Sequence, residues 1–427
     1  MKSSILSLVF LLVSVALKCQ TFPSTFIEAW KNSKYDSAYL MLGGKITQMV
    51  NETQFRQMMA TLDAKQGSIV NYSLIKEEQG QYFYNVVTDG PEPFVLHLVT
   101  ENNKIVGFWI KDAEKEFRDP KYANKESFIE KELEFSNLKY PLKGTLTMPK
   151  GKDNVPLILL VHGSGPNDRD ETIGGNKVFR DLAWGLASRG IAVVRYDKRT
   201  FAFADSVSED SVTIYDEVVD DAVAILKELV QLPGIDTSRI ILAGHSLGAM
   251  MAPLVAQRSG EVDRLILLAA PARNFARAVT DQMNYFLENL QVDSADKAWI
   301  IRIKAEANRT EAFLEEGKDY PADSLLFQLP PAYYRSLRGY DQLGLAGELN
   351  LPVLILQGKR DYQVNLTDYQ LWQSRYSNSP NFQFKLYPRA NHLFINGKGI
   401  SSPEEYEKTG NVAEEVIQDI SKWILKN

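Results

Sequence analysis

The chain has 427 residues, 44% of them hydrophobic, enough for one large domain and a smaller one with buried cores of their own. Its 54 acidic residues outnumber 48 basic ones for a formal net charge of −6, and no dense Lys/Arg run occurs, which argues against nucleic acid or an anionic membrane as main partner. Cys19 is the only cysteine, so a disulfide framework and a structural thiolate zinc site are excluded.

Lys2, a continuous apolar stretch from Ile5 to Leu17 and then Lys18-Cys19-Gln20 have the build of a secretory signal over residues 1–19. The stretch is too short to span a bilayer comfortably, so the mature chain is expected in the periplasm or outside the cell without a transmembrane span. Cys19 has two readings: cleavage after it, leaving Gln20 first, or lipidation that tethers the protein to a membrane. Lys18 fits a lipoprotein cleavage box poorly and favours the first.

Residues 20–115 read as a small α+β domain. Phe26, Trp30, Tyr39, Leu40, Phe55, Met58, Met59 and Leu62 give apolar helical faces up to about Gly67. Four alternating runs follow, Ser68 to Ile75, Gln81 to Thr88, Phe94 to Thr100 and Lys104 to Ile110, separated by turn-forming stretches, which predicts an antiparallel meander. His97 falls on its third strand and is assigned no chemistry. The charged stretch Lys111 to Lys125 reads as a linker.

From residue 120 to 427 the pattern is different. Strands are expected at Glu126 to Phe135 and Tyr140 to Met148, then at the wholly apolar run Pro156 to Val161, as suits a parallel strand buried on both faces. Helix Phe179 to Arg189, strand Ile191 to Tyr196, helix Tyr215 to Leu232, strand Ile240 to Ala243, and strands Leu265 to Ala269, Val353 to Gln357 and Phe382 to Leu386 follow, closed by an amphipathic helix over Val412 to Leu425. This alternation predicts an α/β fold with a doubly wound, mostly parallel sheet, whose ligands bind beyond the carboxyl ends of the strands.

Strand Ile240 to Ala243 runs into Gly244-His245-Ser246-Leu247-Gly248 and then a helical run. A serine on a sharp strand-to-helix turn needs small residues two before and two after it, and the turn aims its hydroxyl at the positive end of the helix. Ser246 is therefore the candidate nucleophile, and such a hydroxyl needs a base oriented by a third group. Of four histidines, His97 lies in the other domain, His245 adjoins the serine, and His162 belongs to a glycine turn, which leaves His392. Asp361, directly after strand Val353 to Gln357, is the candidate orienting carboxylate, with Asp368 and Asp341 in reserve. The oxyanion donors are expected to be the N–H groups of Leu247 and Ser164, the latter in His162-Gly163-Ser164-Gly165.

From about Glu126 onward these segments resemble the α/β-hydrolase superfamily, specifically bacterial esterases of the serine-aminopeptidase-like or dienelactone-hydrolase-like kind. The resemblance rests on Val161 to Glu171, Arg195 to Thr200, Gly244 to Gly248, Gln357 to Asp361 and Asn391-His392. It implies Ser246 as nucleophile, His392 as base, Asp361 as acid and Ser164 with Leu247 as oxyanion hole, with no metal or cofactor. Thr200-Phe201 departs from the pattern, since many relatives carry glycines there. The small domain in front resembles one of unknown function that precedes some secreted bacterial hydrolases.

Between residues 272 and 349 the alternation is suspended for an expected helical cap, with helices at Asp281 to Leu290, Asp296 to Ala307 and Thr310 to Glu316. Tyr285, Tyr333 and Tyr334, with Phe286 and Tyr340 beside them, are candidate substrate-binding walls. The expectation is a secreted serine esterase that cleaves small-molecule carboxylic esters through an acyl-enzyme. Its rivals are an exopeptidase, an acyltransferase or thioesterase on the same machinery, and a catalytically silent binding module.

Overall fold

The computed structural model describes residues 22–426 apart from 45, 91–92, 113–116, 137 and 207–210, so the expected signal segment and Cys19 lie outside the described residues. The chain divides between residues 115 and 116 into two compact units.

In the first unit, helices α1 (Phe22–Lys31), α2 (Tyr35–Tyr39), α3 (Ile46–Met49) and α4 (Glu52–Gln66) precede strands β1 (Ile69–Glu78), β2 (Gln81–Thr88), β3 (Phe94–Glu101) and β4 (Lys104–Asp112). The strands form an antiparallel sheet in the order β1-β2-β3-β4. Alternation decides which face is buried: Tyr84, Val86, Leu96 and Leu98 form one core with Phe26, Trp30, Phe55 and Met59 from the helices. On the other face His97 stacks on Phe83 at 4.2 Å between ring centroids, with Trp109 at 5.1 Å on its far side.

The second unit runs β5 (Phe128–Phe135), β6 (Leu142–Pro149), β7 (Val155–Val161), a short hairpin β8 (Thr172–Ile173) and β9 (Asn176–Lys177), α5 (Val178–Ala187) and β10 (Ala192–Tyr196). It continues with α6 (Arg199–Ala202), α7 (Asp220–Leu229), β11 (Ile235–His245), α8 (Leu247–Ser259) and β12 (Arg264–Leu268). A cap of α9 (Phe275–Asn289), α10 (Ser294–Glu316), α11 (Pro331–Leu337) and α12 (Gln342–Glu348) intervenes before β13 (Val353–Gly358), α13 (Leu366–Tyr376), β14 (Phe382–Tyr387) and α14 (Glu414–Leu425). Eight strands form one sheet in the order β14-β13-β12-β11-β7-β10-β6-β5. It is parallel from β14 to β10 and antiparallel at β6 and β5.

Every residue of β7 is buried, because both faces of the sheet are covered. Leu157, Leu159 and Val161 feed the core beneath α7, α8 and the cap; Ile158 and Leu160 feed the opposite core beneath α5 and α14. The cap departs from the expected helices in two places. Its first helix starts at Phe275, because Asn274 accepts the N–H of Arg277 at 3.0 Å and so fixes the N-terminus before Asp281. The two later helices are a single one, Ser294–Glu316, since nothing at Asn308-Arg309 breaks the backbone hydrogen bonds. The helix expected from Tyr215 opens with a π-helical turn, Tyr215–Val219, before α7 begins. Asp368 anchors the root of the cap: its fully buried carboxylate accepts the N–H groups of Ala272 and Arg273 and the Arg273 guanidinium.

Candidate active site

Ser246 follows β11 with φ 53° and ψ −116°, a conformation that costs a non-glycine residue about 1–3 kcal/mol and persists only when its surroundings hold it. Its N–H donates to Leu268 O at 2.9 Å and its carbonyl accepts from Met250 at 3.0 Å. A Cβ on Gly244 would overlap the backbone of Gly248, and one on Gly248 would overlap the carbonyl of Val161. The two glycines are thus required by close approach of backbone to backbone. Because α8 begins at Leu247, the N–H of that residue is among the first-turn donors that the helix leaves unused.

Asp361 and His392 meet directly, with His392 Nδ1 2.7 Å from Asp361 Oδ2. The carboxylate is buried and held by its own loop: Oδ1 accepts the N–H groups of Gln363 at 2.8 Å and Val364 at 2.9 Å, and Oδ2 also accepts Gln357 Nε2 at 3.2 Å. An ionised carboxylate accepts only, so Nδ1 of His392 carries a proton and Nε2 is left as the basic nitrogen. No hydrogen bond joins Ser246 Oγ to His392 among the described residues. Such contacts are often loose before substrate binds. The reserve carboxylates are engaged elsewhere, Asp368 with Arg273 and Asp341 as the N-cap of α12 through Gly344 N at 2.8 Å.

The loop after β7 is tied on both sides of Ser164. Gly163 N donates to Glu171 at 2.7 Å and Gly165 N to Glu217 at 3.0 Å, while Lys198 Nζ donates to the carbonyls of Gly163 and Gly165 at 2.9 and 2.8 Å. Asn167 Nδ2 donates to Ser164 O at 3.1 Å. The Ser164 N–H has no acceptor among the described residues, whereas the N–H groups of Gly163 and Gly165 on either side of it are taken. His162 is buried between Phe179 and Tyr196 with neither ring nitrogen hydrogen-bonded among the described residues, and burial pushes its pKa down to about 4.

A cavity of about 500 Å³ opens beside this loop, lined by Ser164, Thr200 and Glu217 and by apolar groups of Val212, Phe275, Phe327 and Leu329. A smaller one of about 50 Å³ holds Ser246, Leu247 and Gln363 and shares Ser164 and Phe275 with it. Tyr333 lines the larger cavity and donates to Glu217 Oε2 at 2.6 Å; Lys198 reaches the other oxygen at 2.8 Å. Burial pushes Glu217 up, but Lys198, Tyr333 and Gly165 N outweigh it and hold the carboxyl below its usual range.

Of the other aromatic candidates, Tyr334 is fully buried and donates to Leu326 O, Tyr285 stacks on Tyr362 and donates to Ser401 O, and Tyr340 donates to Met250 O. None of these three is among the residues lining the larger cavity or the serine's. The hydroxyls of Tyr285 and Tyr340 find acceptors between cap and body, and that of Tyr334 finds one within the cap. Glu171, Lys198 and Glu217 carry no expectation from sequence, though the first two stand inside the segments Val161 to Glu171 and Arg195 to Thr200. Thr200, at the departure from the superfamily pattern, sits in the one-turn helix α6 and lines the cavity.

Residues 156–398 match the family described as Serine aminopeptidase, S33. Esterase EstD of Thermotoga maritima is 34% identical over 406 residues, covering 94% of each chain. This chain belongs to that hydrolase family. Among solved structures, Est1E from Butyrivibrio proteoclasticus is similar with 19% identity and a TM-score of 0.45, covering 69% of this chain and 98% of its own. The Pyrococcus furiosus esterase Pf2001 is similar with 18% identity and a TM-score of 0.43, covering 70% and 92%. The family match of this hydrolase runs from the second residue of β7 past the loop that carries His392. Ser164, Ser246, the cap and Asp361 lie within it, and the first unit lies before it.

Proposed function

We propose that this hydrolase is an exported serine esterase acting on small uncharged carboxylic esters, with Ser246 as nucleophile, His392 as base and Asp361 as the group that orients it. The observation that carries the reading is the Asp361–His392 bond: both acceptor sides of the carboxylate are filled, so Nδ1 is committed and Nε2 is free for proton transfer. Ser246 Oγ attacks the ester carbonyl while Nε2 takes its proton. The N–H groups of Leu247 and Ser164 receive the negative oxygen, and the protonated imidazole hands its proton to the departing alcohol. Water activated by the same nitrogen then releases the acid from Ser246.

The cavity favours an uncharged substrate. Among the described residues Glu217 is the one charged group in its wall, and Lys198, Tyr333 and Gly165 N already satisfy it, whereas an exopeptidase needs an unspent charge to hold a peptide terminus. Phe275, Phe327, Leu329 and Val212 suit an apolar acyl or alcohol portion, at a volume typical of small-molecule pockets. Export rests on Lys2 and the apolar run Ile5 to Leu17, and a mature protein whose first residue is Gln20 is the expected result of N-terminal sequencing.

A fluorophosphonate probe is expected to label the wild-type protein and not the Ser246→Ala variant. Equal labelling of both, or none of the wild type, rejects Ser246 as nucleophile. A panel of p-nitrophenyl esters of graded chain length beside aminoacyl p-nitroanilides tests the substrate class, and faster turnover of the anilides rejects the esterase reading while keeping the serine.

A further inference from the structure

His245 ends β11 one residue before Ser246, and it is buried. Its two ring nitrogens face two acceptors: Nδ1 is 2.9 Å from Glu171 Oε2, and Nε2 is 3.0 Å from the carbonyl oxygen of His392. Neither a carbonyl oxygen nor an ionised carboxylate can donate, so both nitrogens carry protons and the ring is an imidazolium. Burial pushes the His245 pKa down, but Glu171 and the His392 carbonyl more than reverse it, leaving it above the ordinary value. Burial likewise pushes Glu171 up, and His245 together with the Gly163 N–H brings it below the usual range.

The remaining groups around the pair are accounted for. His162 is neutral at the acidity of most enzymatic work, since its pKa is lowered to about 4. The His392 ring lies 4.7 Å from that of His245 between centroids, with Asp361 on its far nitrogen, and the edge of Phe394 closes the site at 6.3 Å.

The second oxygen of Glu171 accepts the N–H of Gly163 at 2.7 Å. One carboxylate and one ring therefore connect the loop that presents Ser164 N–H, the turn that carries Ser246 and the loop that carries His392. Glu171 has φ 50°, left-handed for a non-glycine residue. Asp168 holds that turn, its carboxylate accepting the N–H groups of Asp170 at 3.1 Å and Thr172 at 3.0 Å and the Thr172 hydroxyl at 2.7 Å. Backbone strain of this kind persists where the surroundings over-determine it.

We propose that Glu171 and His245 are a positioning pair for the reaction at Ser246, a buried ion pair that keeps the oxyanion loop, the nucleophile and the base in register without touching substrate. The inference rests on the roles given to Ser246, Asp361 and His392 above.

Replacing the carboxylate separates positioning from charge. In Glu171→Gln the oxygen that accepts Gly163 N–H stays oxygen and the amide NH₂ faces Nδ1, which becomes an acceptor on a neutral ring, while Nε2–H still reaches the His392 carbonyl. In Glu171→Ala the loop around Gly163 loses its link to the serine turn, and His245 keeps only the His392 carbonyl. The expected result for Glu171→Ala is a fall in kcat of about 100-fold, the scale of loss from a misplacement of about 1 Å, with KM nearly unchanged. Glu171→Gln is expected to recover kcat to within about tenfold of wild type. A Glu171→Ala variant with wild-type kcat overturns the proposal, as does a Glu171→Gln variant no better than the alanine.

A measurement on the wild-type protein stands apart from any folding defect. Nitrogen-15 spectra near pH 6 are expected to show two N–H groups on His245, and a single one overturns the ion pair. Fluorophosphonate labelling keeps the two readings apart: an unlabelled wild type rejects the serine mechanism, whereas a labelled wild type beside a fully active Glu171→Ala rejects the positioning pair alone.

Discussion

Two buried histidine–carboxylate pairs lie side by side in the large unit, and they are built for different work. In Asp361–His392 the carboxylate holds one ring nitrogen and leaves the other uncommitted; in Glu171–His245 both ring nitrogens are committed to acceptors. The first ring can change its charge during a reaction, and the second cannot without breaking a hydrogen bond. Chemical identity and burial are alike in the two pairs, so the number of unspent nitrogens is what separates the proposed base from the proposed brace.

The same isosteric change, carboxylate to amide, sharpens the contrast most. In Asp361→Asn the oxygen that accepts the N–H groups of Gln363 and Val364 must remain oxygen, which turns the NH₂ toward His392 Nδ1. The ring is then forced into the tautomer protonated on Nε2, which cannot take a proton from serine. The expected loss in kcat is roughly four orders of magnitude with an unchanged fold, read from ester turnover beside circular dichroism. Glu171→Gln, where the ring needs only to stay in place, is expected to lose no more than about tenfold. Equal losses at the two positions would erase the distinction drawn between the pairs.

How much of this is legible in the sequence follows from how local each constraint is. The sheet and its order of burial can be read because runs such as Val155 to Val161 are apolar throughout, and the elbow can be read because Gly244 and Gly248 answer a steric demand within five residues. The hydrolase family is legible for the same reason, through short segments at strand ends. The role of Asp368 is not: a carboxylate at the start of α13 looks like a favourable first-turn charge, and only the return of the chain from β12 brings Arg273 onto it. Glu171, Lys198 and Glu217 are invisible for a similar cause, since what they do depends on which backbone groups of a distant loop face them. Tyr285, Tyr333 and Tyr334 carry equal signals in sequence, yet Tyr333 alone of the three lines the cavity.

A third buried carboxylate extends the comparison to the case of a charge without a close cation. Asp181, in α5, accepts Val412 N at 2.8 Å and Asn411 Nδ2 at 3.0 Å, and burial outweighs those bonds to push its pKa up to about 7. Glu171 is as deeply buried and moves the opposite way because His245 lies against it. For Asp181 the folded value exceeds the unfolded one, so its contribution to stability is complete below about pH 4 and is lost as pH rises towards 7. The loss is on the order of 4 kcal/mol over that window. Asp181→Asn cannot ionise, so its melting temperature relative to wild type is expected to climb between pH 5 and pH 8. A difference that stays level across that range would mean that Asp181 titrates like a solvated carboxylate.

Glu217 supplies the mildest case, a buried carboxylate balanced by Lys198 and shared with a hydroxyl from the cap. Tyr333→Phe removes the 2.6 Å bond to Glu217 Oε2 and leaves Lys198 and Gly165 N on the other oxygen. The loop around Ser164 therefore keeps its main ties, and the expected cost is that of one hydrogen bond to a charged group, about 1.5–3 kcal/mol, if all of it fell on the transition state. Part of it falls on the cap instead, because Tyr333 sits on α11 and its ring stays packed against Tyr334. The result expected is a fall in kcat of about three- to tenfold, with a rise in KM for the longer acyl esters that reach the cavity and little change for acetate esters. A uniform loss across chain lengths would place the effect on the oxyanion loop alone, and a loss confined to KM would make Tyr333 a wall of the cavity with no hold on Ser164.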